Sequence, residues 1–232
     1  LLTKCDIMIN INVNLWKLAC SDLICATLTL NNMQQPPFIE IANTFGAPVY
    51  VYDAQVITAQ YDRLKRAFQQ VPNLRFHYAV KANSNLSVLK LMHSLGAGLD
   101  TVSIEEVRLG LLAGVAPEDI IYTPNGVSIE ELEAARELGV QINIDNLSVL
   151  ELFGQRYPET PVCVRINPHV MAGGNANISV GHIDSKFGIS IHQVPHILRI
   201  VNLTNMRING VHMHTGSDIL DIDVFLHASE IL

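Results

Sequence analysis

Charge is scarce in this 232-residue chain: 16% of its residues are Asp, Glu, Lys or Arg, and the net charge is −7. Lysine and arginine form no cluster, which argues against a nucleic acid or an anionic membrane surface as partner. The four cysteines, Cys5, Cys20, Cys25 and Cys163, include no CxxC pair and no zinc-like spacing, and so read as reduced thiols of a cytoplasmic protein. No GxGxxG fingerprint follows any strand-like run, which weakens a dinucleotide-binding reading. A long hydrophobic span is missing as well. The apolar run from Leu18 to Leu30 is interrupted by Asp22, is too short to cross a bilayer, and precedes no clean small-residue cleavage site. Residues 1–32 are therefore set apart as a leader whose native status stays open, by read-through or a cloning artefact, and the native sequence is expected to begin at Met33.

What is present is apolar residue in quantity, 49% of the chain, enough for a deeply buried α/β core. From Pro37 onward the pattern is orderly. Ile39 to Phe45 reads as a helix, Val49–Tyr52 as a strand, and Ala54–Gln70 as a helix with Ile57, Tyr61, Leu64 and Phe68 on one face. Strand-like runs then begin at Gly98, Ile120, Gln141 and Val162, recurring every 21 or 22 residues. Each is followed by a helical pattern, and Ser103–Glu106 and Ser128–Glu131 have the form of capping boxes. Compact βα units of this kind imply a parallel sheet, and their even spacing favours a (β/α)8 barrel over a doubly wound sheet. The rhythm breaks at residues 169–188, a long loop that follows a strand and so belongs to the face where barrels do their chemistry. A helix from Ser190 to Asn202, a strand Gly210–His214 and an amphipathic helix from Ile219 complete the chain.

Against that frame a few polar residues stand out. The chain has six lysines, and Lys81 alone closes an apolar, β-rich run (Arg75–Asn83) at the strand end where α/β folds place reactive groups. A partly desolvated lysine there can lose its proton and attack a carbonyl; a lysine snorkelling to water would look the same. Asp100 and Arg165 also occupy strand ends, as functional groups or as members of a structural ion pair. His212 and His214 share one strand face. They suit a metal, a buried hydrogen-bonded pair, or a flat ring against a planar cofactor, with Ser217 and the amides around Gly216 at a phosphate.

Four motifs occur in order: Tyr78-Ala-Val-Lys-Ala-Asn83, Gly98-Leu-Asp-Thr-Val-Ser103, Ser185-Lys-Phe-Gly188 and His212-Met-His-Thr-Gly-Ser217. Together they resemble the diaminopimelate decarboxylase family, pyridoxal-phosphate enzymes of the alanine-racemase-like (fold type III) group, from about Met33 to the end. The resemblance implies an α/β fold with a (β/α)8 TIM-type barrel, here incomplete at its C-terminus after a sixth strand. It implies pyridoxal 5′-phosphate as cofactor, Lys81 as the Schiff-base lysine, His214 stacked on the pyridine ring and Ser217 on the phosphate. Asp100 and Arg165 match supporting cofactor-site positions, and no metal is implied. The implied reaction is decarboxylation of meso-diaminopimelate, a small amino acid, to lysine and CO2 by a cytoplasmic homodimer in the full-length form.

The same resemblance marks departures: a glycine-rich phosphate loop, the acidic partner of the pyridine nitrogen and a C-terminal β domain have no counterpart here. The polypeptide alone is accordingly expected to be poorly soluble and inactive. Other readings are a single-barrel pyridoxal-phosphate carrier, an ornithine, arginine or carboxynorspermidine decarboxylase, and a barrel enzyme acting on a phosphorylated sugar. The last leaves Lys81 and His214 unexplained as a pair.

Overall fold

The structure is a computed structural model that describes residues 38–170, 187–214, 216 and 222–232. The residue 1–32 leader, most of the 169–188 loop and Ser217 lie outside the described residues. The chain falls into two compact units that meet in sequence between Pro72 and Asn73.

In the first unit, α1 (Phe38–Phe45) and α2 (Ala54–Ala67) are joined by an extended segment. Asp53 caps α2, its carboxylate accepting from the Gln55 and Val56 amides at 2.8 and 3.2 Å. The Val49–Tyr52 strand expected from sequence does not form: its residues are exposed, Tyr50 by 90%, and pair with no strand among the described residues. Alternating β-branched and aromatic residues favour a strand only where a neighbouring strand and a packed face receive them.

The second unit holds the sheet. Its strands are β1 (His77–Ala79), β2 (Gly98–Thr101), β3 (Ile120–Tyr122), β4 (Gln141–Ile144), β5 (Val162–Asn167), β6 (Ile189–Ser190) and β7 (Ile208–His212). Interleaved are α3 (Leu86–Ser94), α4 (Ile104–Leu112), α5 (Ile129–Glu137), α6 (Leu147–Arg156) and α7 (Val194–Thr204), with α8 (Ile222–Ile231) last. All pairings are parallel, running β1-β2-β3-β4-β5, and β5 also pairs with β6 at its C-terminal tip and with β7 along its first half. This is the α/β alternation the spacing predicts.

Helix starts follow local chemistry. Asn85, Ser103, Ser128 and Asn146 cap α3, α4, α5 and α6 through their side chains. Ser128 and Glu131 form the expected reciprocal box. At α4 the box is displaced: Ser103 accepts from the Glu106 amide, but the Glu106 carboxylate reaches back to the Val102 amide at 2.8 Å. The helix expected from Ser190 begins instead at Val194. Ile189 and Ser190 join the sheet, and a 3-10 turn over Ile191–Gln193 leads to Pro195, which fits a helix only in its first turn.

Register decides which residues share a face, because Cα partners in neighbouring parallel strands point the same way. Leu99, Ile120, Ile142 and Val162 form one row, fully buried beneath the helices with Val107, Leu132, Leu150 and Phe153. Each such side chain stabilises the fold by roughly 1.5–3 kcal/mol. The opposite face is polar. Gly98 on that face admits the His77 ring, since a Cβ there would lie 2.5 Å from both the ring and the Asp119 carbonyl oxygen. A bulge in β7 frees Asn209 to reach past β5, where its amide donates to the Gln141 side-chain oxygen at 2.7 Å.

Candidate functional site

The polar face gathers the expected residues from strands far apart in sequence. Asp100 is opposite Ala79, the last residue of β1, and Lys81 follows two residues later. Arg165 is opposite His212, with His214 two residues further on. The sequence put Lys81 at a strand end; the structure carries it one step past, in a 3-10 turn over Val80–Ala82. Lys81 is therefore exposed, not partly desolvated, and open to an incoming carbonyl. His214 similarly lies past the end of β7, half-buried.

Charge binds the group together. Burial, then the positive charges of Arg165 and Lys81, push His214 down to about 4. At neutral pH its ring is thus an uncharged, flat aromatic surface beside two cations. Burial, Arg165 and His214 push His212 down to about 3, so it too is neutral. Arg165 is itself buried, which draws it below its ordinary value, while the carboxylates of Asp145 and Asp100 act in the opposite sense. Asp100, Arg165 and His212 share one face of the sheet in register, and the charges of Arg165 and Lys81 both act on His214.

Several residues here carry no strong sequence signal. Phe187, from the Ser-Lys-Phe-Gly motif, presents its ring 5.1 Å from the Arg165 guanidinium carbon. Gly188, at φ +80°, lets the chain pass so close to β5 that a Cβ would lie 3.0 Å from the Asn167 amide nitrogen. Asp145 accepts from the Asn125 side chain and acts on Arg165. Thr123 and Asn143, both buried, extend from Asp100 across two further strands. His169, left-handed at φ +58°, bonds the Ser190 hydroxyl at 2.8 Å at the root of the long loop.

What such a centre accepts follows from its parts. Two cations favour an anion, a neutral imidazole offers a stacking surface, and an exposed amine offers a nucleophile to a carbonyl. The buried Nδ1 of His212 has no hydrogen-bond partner among the described residues. A planar, phosphorylated aldehyde meets each of these features. No group of three or more His, Cys, Asp or Glu side chains able to hold a metal occurs among the described residues.

Comparison with known proteins decides the family. The pyridoxal-binding domain of the pyridoxal-dependent decarboxylases matches residues 55–232. The chain belongs to this family. Pyridoxal 5′-phosphate is accordingly the cofactor this domain takes. Diaminopimelate decarboxylase of Methanothermobacter thermautotrophicus is 38% identical over 196 residues, which is 84% of this chain and 46% of that protein. The crystal structure of diaminopimelate decarboxylase from Helicobacter pylori complexed with L-lysine superposes with a TM-score of 0.73 at 32% identity, covering 83% of this chain and 50% of that one. A lysine/ornithine decarboxylase from Vibrio vulnificus complexed with putrescine gives a TM-score of 0.70 at 28% identity over 84% of this chain and 49% of that one. The chain spans about half the length of these relatives. The parallel sheet with helices packed on its apolar face thus corresponds to part of a decarboxylase barrel.

Proposed function

We propose that this chain is the cofactor-binding part of a diaminopimelate decarboxylase, which converts meso-2,6-diaminopimelate to L-lysine and CO2. The observation that carries this reading is that Asp100, Arg165 and His212 share one sheet face, with Lys81 and His214 just past the ends of its strands. The relatives named diaminopimelate decarboxylase support the substrate. When bound, the cofactor supplies an electron sink for the carbanion left by loss of CO2. The chain's own residues supply the rest. Lys81 offers the amine that holds the aldehyde carbon, and His214 supports one ring face. Arg165 and Asp100 set the charge around the ring, and Ser217 and Gly216 receive the phosphate. A cytoplasmic homodimer belongs to the same proposal.

The test has two stages. Pyridoxal phosphate added to the protein is expected to give a visible absorbance band, which borohydride bleaches as it reduces the imine and leaves the pyridoxyl group covalently on Lys81, and Lys81→Ala should abolish both. Release of CO2 is then measured from meso-diaminopimelate, ornithine, lysine and arginine. Turnover of ornithine or lysine ahead of diaminopimelate would overturn the substrate assignment and favour the Vibrio relative's activity. Cofactor capture without turnover is the outcome expected of this chain alone, so turnover is read on the full-length protein, where its absence for every amino acid would leave a carrier protein.

A further inference from the structure

Asp100 does not stand alone on its strand. The Thr123 hydroxyl donates to Asp100 Oδ1 at 2.8 Å, and Asn143 Nδ2 donates to Thr123 Oγ1 at 3.0 Å. The three residues come from β2, the residue after β3, and β4, so the chain of bonds runs across the sheet on its polar face. All three are buried, at 4, 8 and 3% exposure. A hydroxyl has a single proton. With Asn143 donating into its oxygen, Thr123 gives that proton to Asp100, and each bond polarises the next toward the carboxylate.

Resting on the cofactor-binding reading, we propose that Thr123 and Asn143 are positioning residues that hold Asp100 toward Lys81 and Arg165. Asp100 stands in register with Ala79, two residues before Lys81, and its charge acts on Arg165, which in turn acts on His214. A rotation of this one carboxylate therefore changes the charge felt by Arg165. Asn143 also leaves its buried Oδ1 without a partner among the described residues. An amide kept for packing alone would carry the cost of that orphan acceptor with nothing gained.

The experiment is titration of the protein with pyridoxal phosphate, reading affinity and the position of the Lys81-bound absorbance band, for wild type, Thr123→Val, Thr123→Ser and Asn143→Leu. Thr123→Val keeps the shape and removes the donor. It is expected to weaken cofactor binding about 10- to 100-fold and to move the band, as loss of a bond to a charged acceptor would. Thr123→Ser, which keeps the hydroxyl, is expected to restore both within about 3-fold. Wild-type affinity and band in Thr123→Val overturn the proposal, as does a Thr123→Ser protein as impaired as Thr123→Val, since the methyl group would then carry the effect. If Thr123→Val does not fold, Asn143→Leu decides, because it keeps the Thr123 proton and removes only its orienting donor. Unchanged affinity there also overturns the proposal. A wild-type protein that forms no band at all sinks the cofactor reading itself, a separate outcome.

Discussion

The Arg165 guanidinium carbon lies 5.1 Å from the centroid of the Phe187 ring, joining β5 to the segment that leads into β6. Arg165 is buried, so the ring replaces part of its lost water with a favourable aromatic face. Such a contact is worth about 0.5–2 kcal/mol depending on desolvation. Phe187→Leu keeps bulk and removes the π face. It is expected to weaken pyridoxal-phosphate affinity about 3- to 30-fold, with Phe187→Trp near wild type, by fluorescence titration. Equal affinity in all three proteins would show that the ring only fills space.

Three histidines set an acid limit on stability. His212 is held at about 3, and His214 and His77 at about 4, against an ordinary value of 6.5. Burial is the leading cause in each. Arg165 and His214 add to it for His212, Arg165 and Lys81 for His214, and Arg75 for His77, where Asp119 opposes. Below pH 6.5 the unfolded chain takes up protons that the folded chain refuses. The stability contributed by these neutral rings is thus fully present above pH 6.5 and is lost as pH falls toward 4. Each ring contributes a slope of up to about 1.4 kcal/mol per pH unit in that window. Urea midpoints of the cofactor-free protein between pH 7 and 4 should fall less steeply in His212→Asn. An unchanged slope would mean that His212 is protonated in the folded state.

Much of this centre was legible because strand ends and motif order are written along the chain. Lys81, Asp100, Arg165 and His214 each close or follow an apolar run, and the 21- or 22-residue spacing brings those runs side by side. Thr123 and Asn143 were not legible, and Phe187 was marked only as part of a motif, without its partner. Their partners lie about one βα unit away, and a hydrogen bond or ring contact across strands leaves no period in the sequence. Val49–Tyr52 failed in the opposite sense, with strong local β propensity and no strand beside it among the described residues.

Gly98 and Gly110 separate rigid from yielding neighbours. A Cβ at Gly98 meets the Asp119 carbonyl oxygen at 2.5 Å, and that backbone, in the 3-10 turn that enters β3, has no rotamer by which to step aside. At Gly110 the nearest atom is Leu99 Cδ1, 2.7 Å away at the end of a side chain that can change rotamer. Gly98→Ala is expected to cost about 3 kcal/mol or more, and Gly110→Ala about 1–2 kcal/mol. Urea denaturation of the two variants checks the order, and a larger loss at Gly110 would show that the sheet repacks more readily than the helix layer.

Cys163 gives the last test, one of access rather than of energy. It lies on the polar face of β5 opposite Gly210, where an added Cβ would sit 3.5 Å from its sulfur. Burial pushes the thiol up to about 12, so almost no thiolate exists at neutral pH. Alkylation by iodoacetamide at pH 8, with each site resolved by mass spectrometry, should leave Cys163 unmodified in the folded protein. In urea the same residue should react fully, its rate rising with the unfolded fraction. Gly210→Ala sharpens the comparison: its Cβ would make only an ordinary contact with the sulfur, so Cys163 should stay as unreactive as in the wild type. Rapid labelling of Cys163 at full native stability would instead require that β7 separates from β5 without global unfolding, because that ladder is what covers the sulfur.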